Sequence, residues 1–450
     1  CQCRKIRGET VYQTFVTQYN KFHSKLNMRK AISIFYNLLF ILVPFVFYAK
    51  TSEVFEFNKM ITIYIFTILI IGTWLIRMVI EKQIIFRRTI LDIPLLIFLG
   101  SQLISAIFSI DPRTSWLGYY SRFNGGLLSS ICYSVLYWAF VSNLDGEATR
   151  KIIAYSLLPS ALIVSVYGIL EHFGGSISCL LLTGTFDDAC WVQDVRTRVF
   201  ATLGQPNWMA AYLVALLPLA ISKSKSIFWL LSSVVIFAAI LFTKSRSGLL
   251  ALAAALTIFT GWQIVKGKIT KQLILVGITF VIVIAIFGTP WTNPLFTNHQ
   301  SLVTTGAPAP EEGGTESGDI RKIVWKGAIN IWKAYPIFGT GSETFAFTYY
   351  MYRPVEHNLV SEWDFLYNKA HNEYLNYLAN TGIFGLGSYL VLIGFSIYLL
   401  RKNTALLAGY VSILITNFFG FSVVITQLLL FLFPAMAITC QNSTTHKKSA

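Results

Sequence analysis

A helix needs about 20 apolar residues to cross the hydrocarbon core of a bilayer. The chain supplies about twelve such stretches, at 31–49, 60–80, 90–110, 125–143, 152–172, 208–221, 227–242, 248–265, 272–288, 382–400, 404–421 and 425–440. Lipid-facing helices require this much apolar sequence and a soluble core does not: 54% of the 450 residues are hydrophobic and only 13% are charged. The expected fold class is an all-α membrane protein with about twelve transmembrane helices. The formal charge of +15 would suggest nucleic acid in a soluble protein. Here the basic residues sit in short pieces between apolar stretches, where orientation in the membrane explains them, so no nucleic-acid partner is expected. The six cysteines stand at 1, 3, 132, 179, 190 and 440, without a CxxC or a Cys/His cluster of metal-binding spacing, so neither a structural metal nor a cofactor is expected.

Sidedness follows from charge. With the N-terminus inside, most of the 36 Lys and Arg fall in inside segments, and every inside loop is short and basic. An even number of spans then puts both termini in the cytoplasm of a multi-pass cell-membrane protein. The expected organisation is a cytoplasmic segment 1–30, a transmembrane domain 31–440 and a cytoplasmic tail 441–450. The segment after Arg4, Lys5 and Arg7 stays polar to Lys30 without an apolar h-region, so the first span is expected to direct insertion. Two long loops, 173–207 and 289–371, become external, and function belongs there. Cys179 and Cys190 share the first loop in a compartment that permits oxidation, which predicts a disulfide. Cys132, inside a span, reads as a small packing residue. The second loop opens on TTGAPAPEEGGTESG at 304–318, a flexible composition. Beyond it, Ile320, Ile323, Val324, Gly327, Ala328 and Ile331 share one helical face, predicting an amphipathic helix on the external surface, started by Ser317 or Asp319 and ended before Pro336.

Charges at membrane depth are costly and need a partner or a purpose. Arg122, Arg198 and Arg246 sit at external ends of spans, and Arg321 opens the surface helix, all against the inside bias. Arginine stays charged and its planar fork grips phosphate oxygens in pairs, so several around one cavity would cradle a diphosphate. The alternative is that each snorkels to lipid headgroups. Gly204-Gln205-Pro206-Asn207 breaks the chain before an apolar run, so Asn207 is read as a helix cap whose first amides favour an anion. Glu171 and His172 read as the end of the fifth span. His371, where the long loop re-enters the membrane, is placed to accept a proton from a hydroxyl. His357 and His299 read as surface residues.

Several segments, taken together, resemble the O-antigen ligase and Wzy-type polymerase family, the Wzy_C-like membrane glycosyltransferases. His371-Asn372, nine residues, then Gly382-Ile383-Phe384-Gly385 match the family's HN-x9-GxxG pattern. LGQPNWMAAYLVALLPLA at 203–220 is similar to another signature, with Gln205 in place of Asn. SRSGLLAL at 245–252 is similar to a third, with Ser247 in place of Gly. The segment around Arg122 and the run from Arg321 through Pro336 to Gly341 follow the same order. The resemblance implies a GT-C-type architecture with a long external loop, and transfer of a glycan from a polyprenyl-diphosphate carrier to an acceptor hydroxyl, inverting and without a metal ion. It implies His371 as catalytic base, Arg198, Arg246, Arg321 and Arg122 on the diphosphate, and Asn207 and Asn372 in support. Its branches differ in acceptor: lipid core for a ligase, another carrier-linked glycan for a polymerase, Ser or Thr of a protein for an oligosaccharyltransferase. A transporter of lipid-linked oligosaccharide is the rival from another class; it would carry polar residues near the midplane and discontinuous helices in matched halves.

Overall fold

The structure, a computed structural model, describes residues 28–292 and 317–445. The N-terminal segment up to residue 27, His299, the run 304–316 and the last five residues lie outside the described residues. Within them the chain is helical, with no named strand. Each apolar stretch carries one helix. In chain order these are α1 (Met28–Leu42), α2 (Glu56–Glu81), α3 (Asp92–Ile107), α4 (Leu127–Asn143), α5 (Gly146–His172), α6 (Pro206–Ile221), α7 (Ile227–Phe242), α8 (Arg246–Val265) and α9 (Lys271–Phe287). Then come α10 (Ser317–Ala334) in the second long loop, α11 (Glu373–Leu400), α12 (Thr404–Phe418) and α13 (Val424–Thr445). Five of them, α2, α5, α8, α11 and α13, are long and apolar enough to cross a membrane; six others are shorter apolar helices.

Local chemistry sets where these helices begin. The side chains of Asp145, Ser245, Thr270, Asn372 and Asn403 each accept a hydrogen bond from a first-turn amide, satisfying donors that have no partner inside the helix. Burial sets their arrangement. α6 is apolar all round, and from Met209 to Ile221 it is buried, which makes it the centre of the bundle, packed by α5, α7, α8 and α12. Gly409 of α12 lets the two backbones meet: a Cβ there would lie 2.1 Å from the Ala215 carbonyl oxygen.

α10 begins at Ser317, and its apolar face is the expected one, with Ile320, Val324, Ala328 and Ile331 buried. That face is covered by protein and not by lipid: it packs on Phe345, Tyr349, Tyr367 and Ala379. The amphipathic pattern is the same in both cases, because it records that one side leaves water and not what covers it.

α11 starts nine residues before the apolar stretch and is broken at Gly382, where φ is 65°. The break frees backbone groups for the chain that follows α10. Gly341 N–H donates to the Asn380 carbonyl at 2.8 Å and Ile383 N–H to the Pro336 carbonyl at 2.9 Å. A Cβ at Gly382 would lie 2.2 Å from the Ile337 carbonyl oxygen, and one at Gly339 2.3 Å from the Asn380 backbone. Gly382→Ala is therefore expected to cost at least about 2 kcal/mol, from the left-handed φ and the displaced carbonyl together. A thermal-unfolding midpoint in detergent equal to wild type would rule this out.

Candidate functional site

The N-terminal ends of α6 and α8 lie side by side and are stapled by side chains. Pro206 occupies the first position of α6 and Gln205 precedes it without a side-chain cap. Asn207 is thus not the cap expected of it, because the proline takes the first helical position and puts Asn207 one residue further in. Its Oδ1 instead accepts the Ser245 hydroxyl at 2.7 Å, while Ser245 Oγ accepts the Gly248 amide at 3.1 Å and so starts α8. Both helix dipoles present their positive ends here, a setting that favours an anion.

Against these ends stands a cavity of about 50 Å3 walled by Gln205, Asn207, Trp208, Ser247, Arg321 and His371, with Phe421 from the α12–α13 connection and Thr426 from the first turn of α13. Three of the residues singled out in the sequence, Asn207, Arg321 and His371, meet on it. So do Gln205 and Ser247, the two positions where this chain departs from the motifs it resembles. Arg198 and Arg246 are not among its walls, but the charge of Arg321, which is, acts on Arg198. Partial burial, then the charges of Arg321 and Arg246, pull Arg198 below the usual arginine range. Burial likewise lowers Arg321, opposed by Glu362 and Tyr367. Guanidiniums this close repel one another, and an anion among them removes that repulsion. Arg122 is held differently: its guanidinium lies over the rings of Trp208 at 5.4 Å and Phe421 at 5.3 Å, and its Nε is buried without a hydrogen-bond partner among the described residues.

His371 takes its position from strain and stacking. Its φ of 53° is left-handed, which a non-glycine residue adopts only when its surroundings impose it. Asn372 caps α11 directly behind it, accepting the Leu375 amide at 3.0 Å. The imidazole sits between Tyr367 and Phe421, with ring centroids at 5.6 and 5.5 Å. Burial, then the charges of Arg321 and Arg122, push it down to about 4, so the ring is neutral near pH 7. Phe123, Ala201, Lys244 and Glu343 share the positive φ, all in the connections around this end of the bundle.

Apart from one predicted disulfide, the supports of the site were not legible in the sequence. Glu171 does more than end α5: it is fully buried, and its Oε2 accepts the amides of Phe200 at 3.2 Å and Ala201 at 2.7 Å, fastening the segment that carries Arg198. The ring of His172 stacks on Phe242 at 4.0 Å. Cys179 and Cys190 are joined in a disulfide, and Phe55, Val195 and Phe200 form a small core beneath the same loop, with Trp191 packed against it. His357 is not a surface residue. It is fully buried, and its Nδ1 lies 2.6 Å from the Tyr349 hydroxyl, under the segment that leads to His371. The Tyr367 hydroxyl donates to Glu362, and Lys369 pairs with the buried Glu343. The disulfide is the pairing the sequence predicts; no local pattern announces the others.

The O-antigen ligase family model matches residues 231–390. The matched region holds Arg246, Arg321, His371 and the Gly382 break, while Arg122, Arg198 and Asn207 precede it. No curated protein matches the chain.

Proposed function

We propose that this chain, which carries an O-antigen ligase domain over residues 231–390, transfers a glycan from a polyprenyl-diphosphate donor to an acceptor hydroxyl, at the external face of the cell membrane, in a GT-C-type bundle of twelve spans. One arrangement supports the reading: His371, which we assign as the base, and Arg321 wall one cavity with the α6 helix end, the charge of Arg122 acts on His371, and those of Arg321 and Arg246 act on Arg198. The chemistry follows from what each group does. As the acceptor oxygen bonds to the anomeric carbon, the bond to the diphosphate breaks and its electrons leave as negative charge on phosphate. Arg198, Arg246 and Arg321 hold that charge, where other enzymes place a metal. Neutral His371 takes the hydroxyl proton in the same step. Attack opposite the leaving group inverts the anomeric centre. The cavity of about 50 Å3 holds only a few waters by the size that one water needs. Sugar and carrier therefore enter by displacement of α10 and the segment before α11, which contribute Arg321 and His371 to its walls. Which acceptor is used, lipid, glycan or protein, depends on surfaces beyond this cavity.

The direct test supplies purified protein with a polyprenyl-diphosphate oligosaccharide and candidate acceptors. Transfer that persists in EDTA is expected; loss in EDTA would remove the metal-free mechanism. The pH profile is a second test. A base must be neutral to act, so kcat/KM should stay level from neutrality down to about pH 5 and fall as pH drops through about 4, the value of His371 in the free protein. Arg321→Gln removes a positive charge that lowers His371, so its acid limb should move upward. Bound diphosphate offsets the same charges, so the limb in kcat should lie above the limb in kcat/KM. A wild-type limb in kcat/KM above pH 6, or one indifferent to Arg321→Gln, would detach His371 from the base role.

A further inference from the structure

A larger cavity than that of the candidate site lies at the other end of the bundle. α6 runs from Asn207 at the candidate site to Ile221, about 21 Å away at the helical rise, and there a cavity of about 450 Å3 opens between the α6–α7 and α8–α9 connections. Lys225, Lys268, Ser222, Ser224 and Gln263 form its polar part, and Ile221, Phe259 and Leu273 its apolar part. Lys223 and Lys266 stand in the same two connections, and Lys271 opens α9 beside them. No carboxylate answers this charge within the sequence: between Asp194 and Glu311 there is no Asp or Glu. Elsewhere at this end three basic residues are paired with carboxylates, Arg29 with Asp145, Arg77 with Glu81 and Lys151 with Glu147, each at 2.6 Å. Among the described residues, none of these five lysines has a carboxylate within salt-bridge distance.

We propose that this cavity binds the phosphate headgroup of an anionic phospholipid drawn from the leaflet at this end of the bundle. The volume falls in the range of small-molecule sites, and the lining is amphiphilic as a lipid is. Lysines and hydroxyls meet the phosphate and glycerol oxygens, while the apolar floor runs out to Ile264, Val265 and Ile274, which are 60, 80 and 55% exposed on the bundle surface. A soluble anion would use the cations and leave that floor without a partner. Basic pockets between spanning helices recognise anionic headgroups by this chemistry. The proposal uses neither the family nor the reaction, and stands or falls apart from them.

The test counts lipids retained by the full chain, purified in neutral detergent, by native mass spectrometry. Wild type is expected to retain phosphatidylglycerol and not phosphatidylcholine, and inorganic phosphate at millimolar concentration should not displace the lipid. Lys225→Gln with Lys268→Gln should weaken phosphatidylglycerol binding about thirtyfold, the attraction of two lysines to an anionic surface. Both lysines are exposed, so the double variant should keep its thermal midpoint in lipid-free detergent. Equal retention of the two lipids by wild type, or equal retention of phosphatidylglycerol by wild type and the double variant, would overturn the proposal. Displacement by inorganic phosphate would overturn it too, assigning the cavity to a free anion.

Discussion

His371→Ala is expected to slow glycan transfer about 10²–10⁴-fold, the span that a positioned general base contributes, while the variant still binds the diphosphate donor. The separation of the two effects follows from geometry. His371 faces the cavity from the loop before α11, and its ring rests on Tyr367 and Phe421. The charges that would hold the donor come from Arg198, Arg246 and Arg321, carried by other elements. Removing the imidazole leaves the cradle in place and even relieves the crowding, so donor affinity should hold while kcat falls. His371→Gln fills the same space without a proton acceptor of comparable basicity and should be as slow. The measurement is single-turnover transfer beside equilibrium binding of the donor. Transfer at the wild-type rate in either variant would end the assignment of the base. Joint loss of rate and binding would instead make His371 a structural residue of the loop.

Arg321→Ala should cost about 10²–10³-fold in kcat, the loss seen when one preorganised donor to a developing anion is removed. Of the arginines it is the one most central to the site. It walls the cavity, and its charge acts on both His371 and Arg198. Arg321→Lys is the sharper variant. It keeps the charge and so keeps His371 low, but it gives up the paired donors that match two phosphate oxygens. Its loss should be about tenfold or more, without movement of the acid limb. The alanine variant should show both effects, slower transfer and a limb moved upward. Full activity of Arg321→Lys would favour the alternative in which these arginines reach only for lipid headgroups.

Much of this protein could be read from order along the chain. Hydropathy located every apolar helix, because a helix that meets lipid or core must be apolar along its own length. The face of α10 was legible for the same reason, and so was the pairing of Cys179 with Cys190 eleven residues apart in one loop. His371 and Gly382 were visible as a motif; the purpose of the glycine was not. Its role depends on the Ile337 carbonyl, 2.2 Å from where a Cβ would sit, in a segment that the motif does not include.

Contact between distant segments decided the rest. Arg122 is flanked by Trp208 and Phe421, three positions spread over most of the chain. Glu171 anchors residues 200 and 201, and Asn207 holds Ser245 in place of capping its own helix. His357, polar and in a loop, is buried because Tyr349 satisfies its ring. By itself the sequence determined that this is an all-helical membrane protein and which polar residues stand at the ends of its helices, since hydropathy and charge act locally. Only the tertiary structure decided which of those ends meet, because a buried ion or hydrogen bond is set by partners brought together in space, and no period along the chain encodes them.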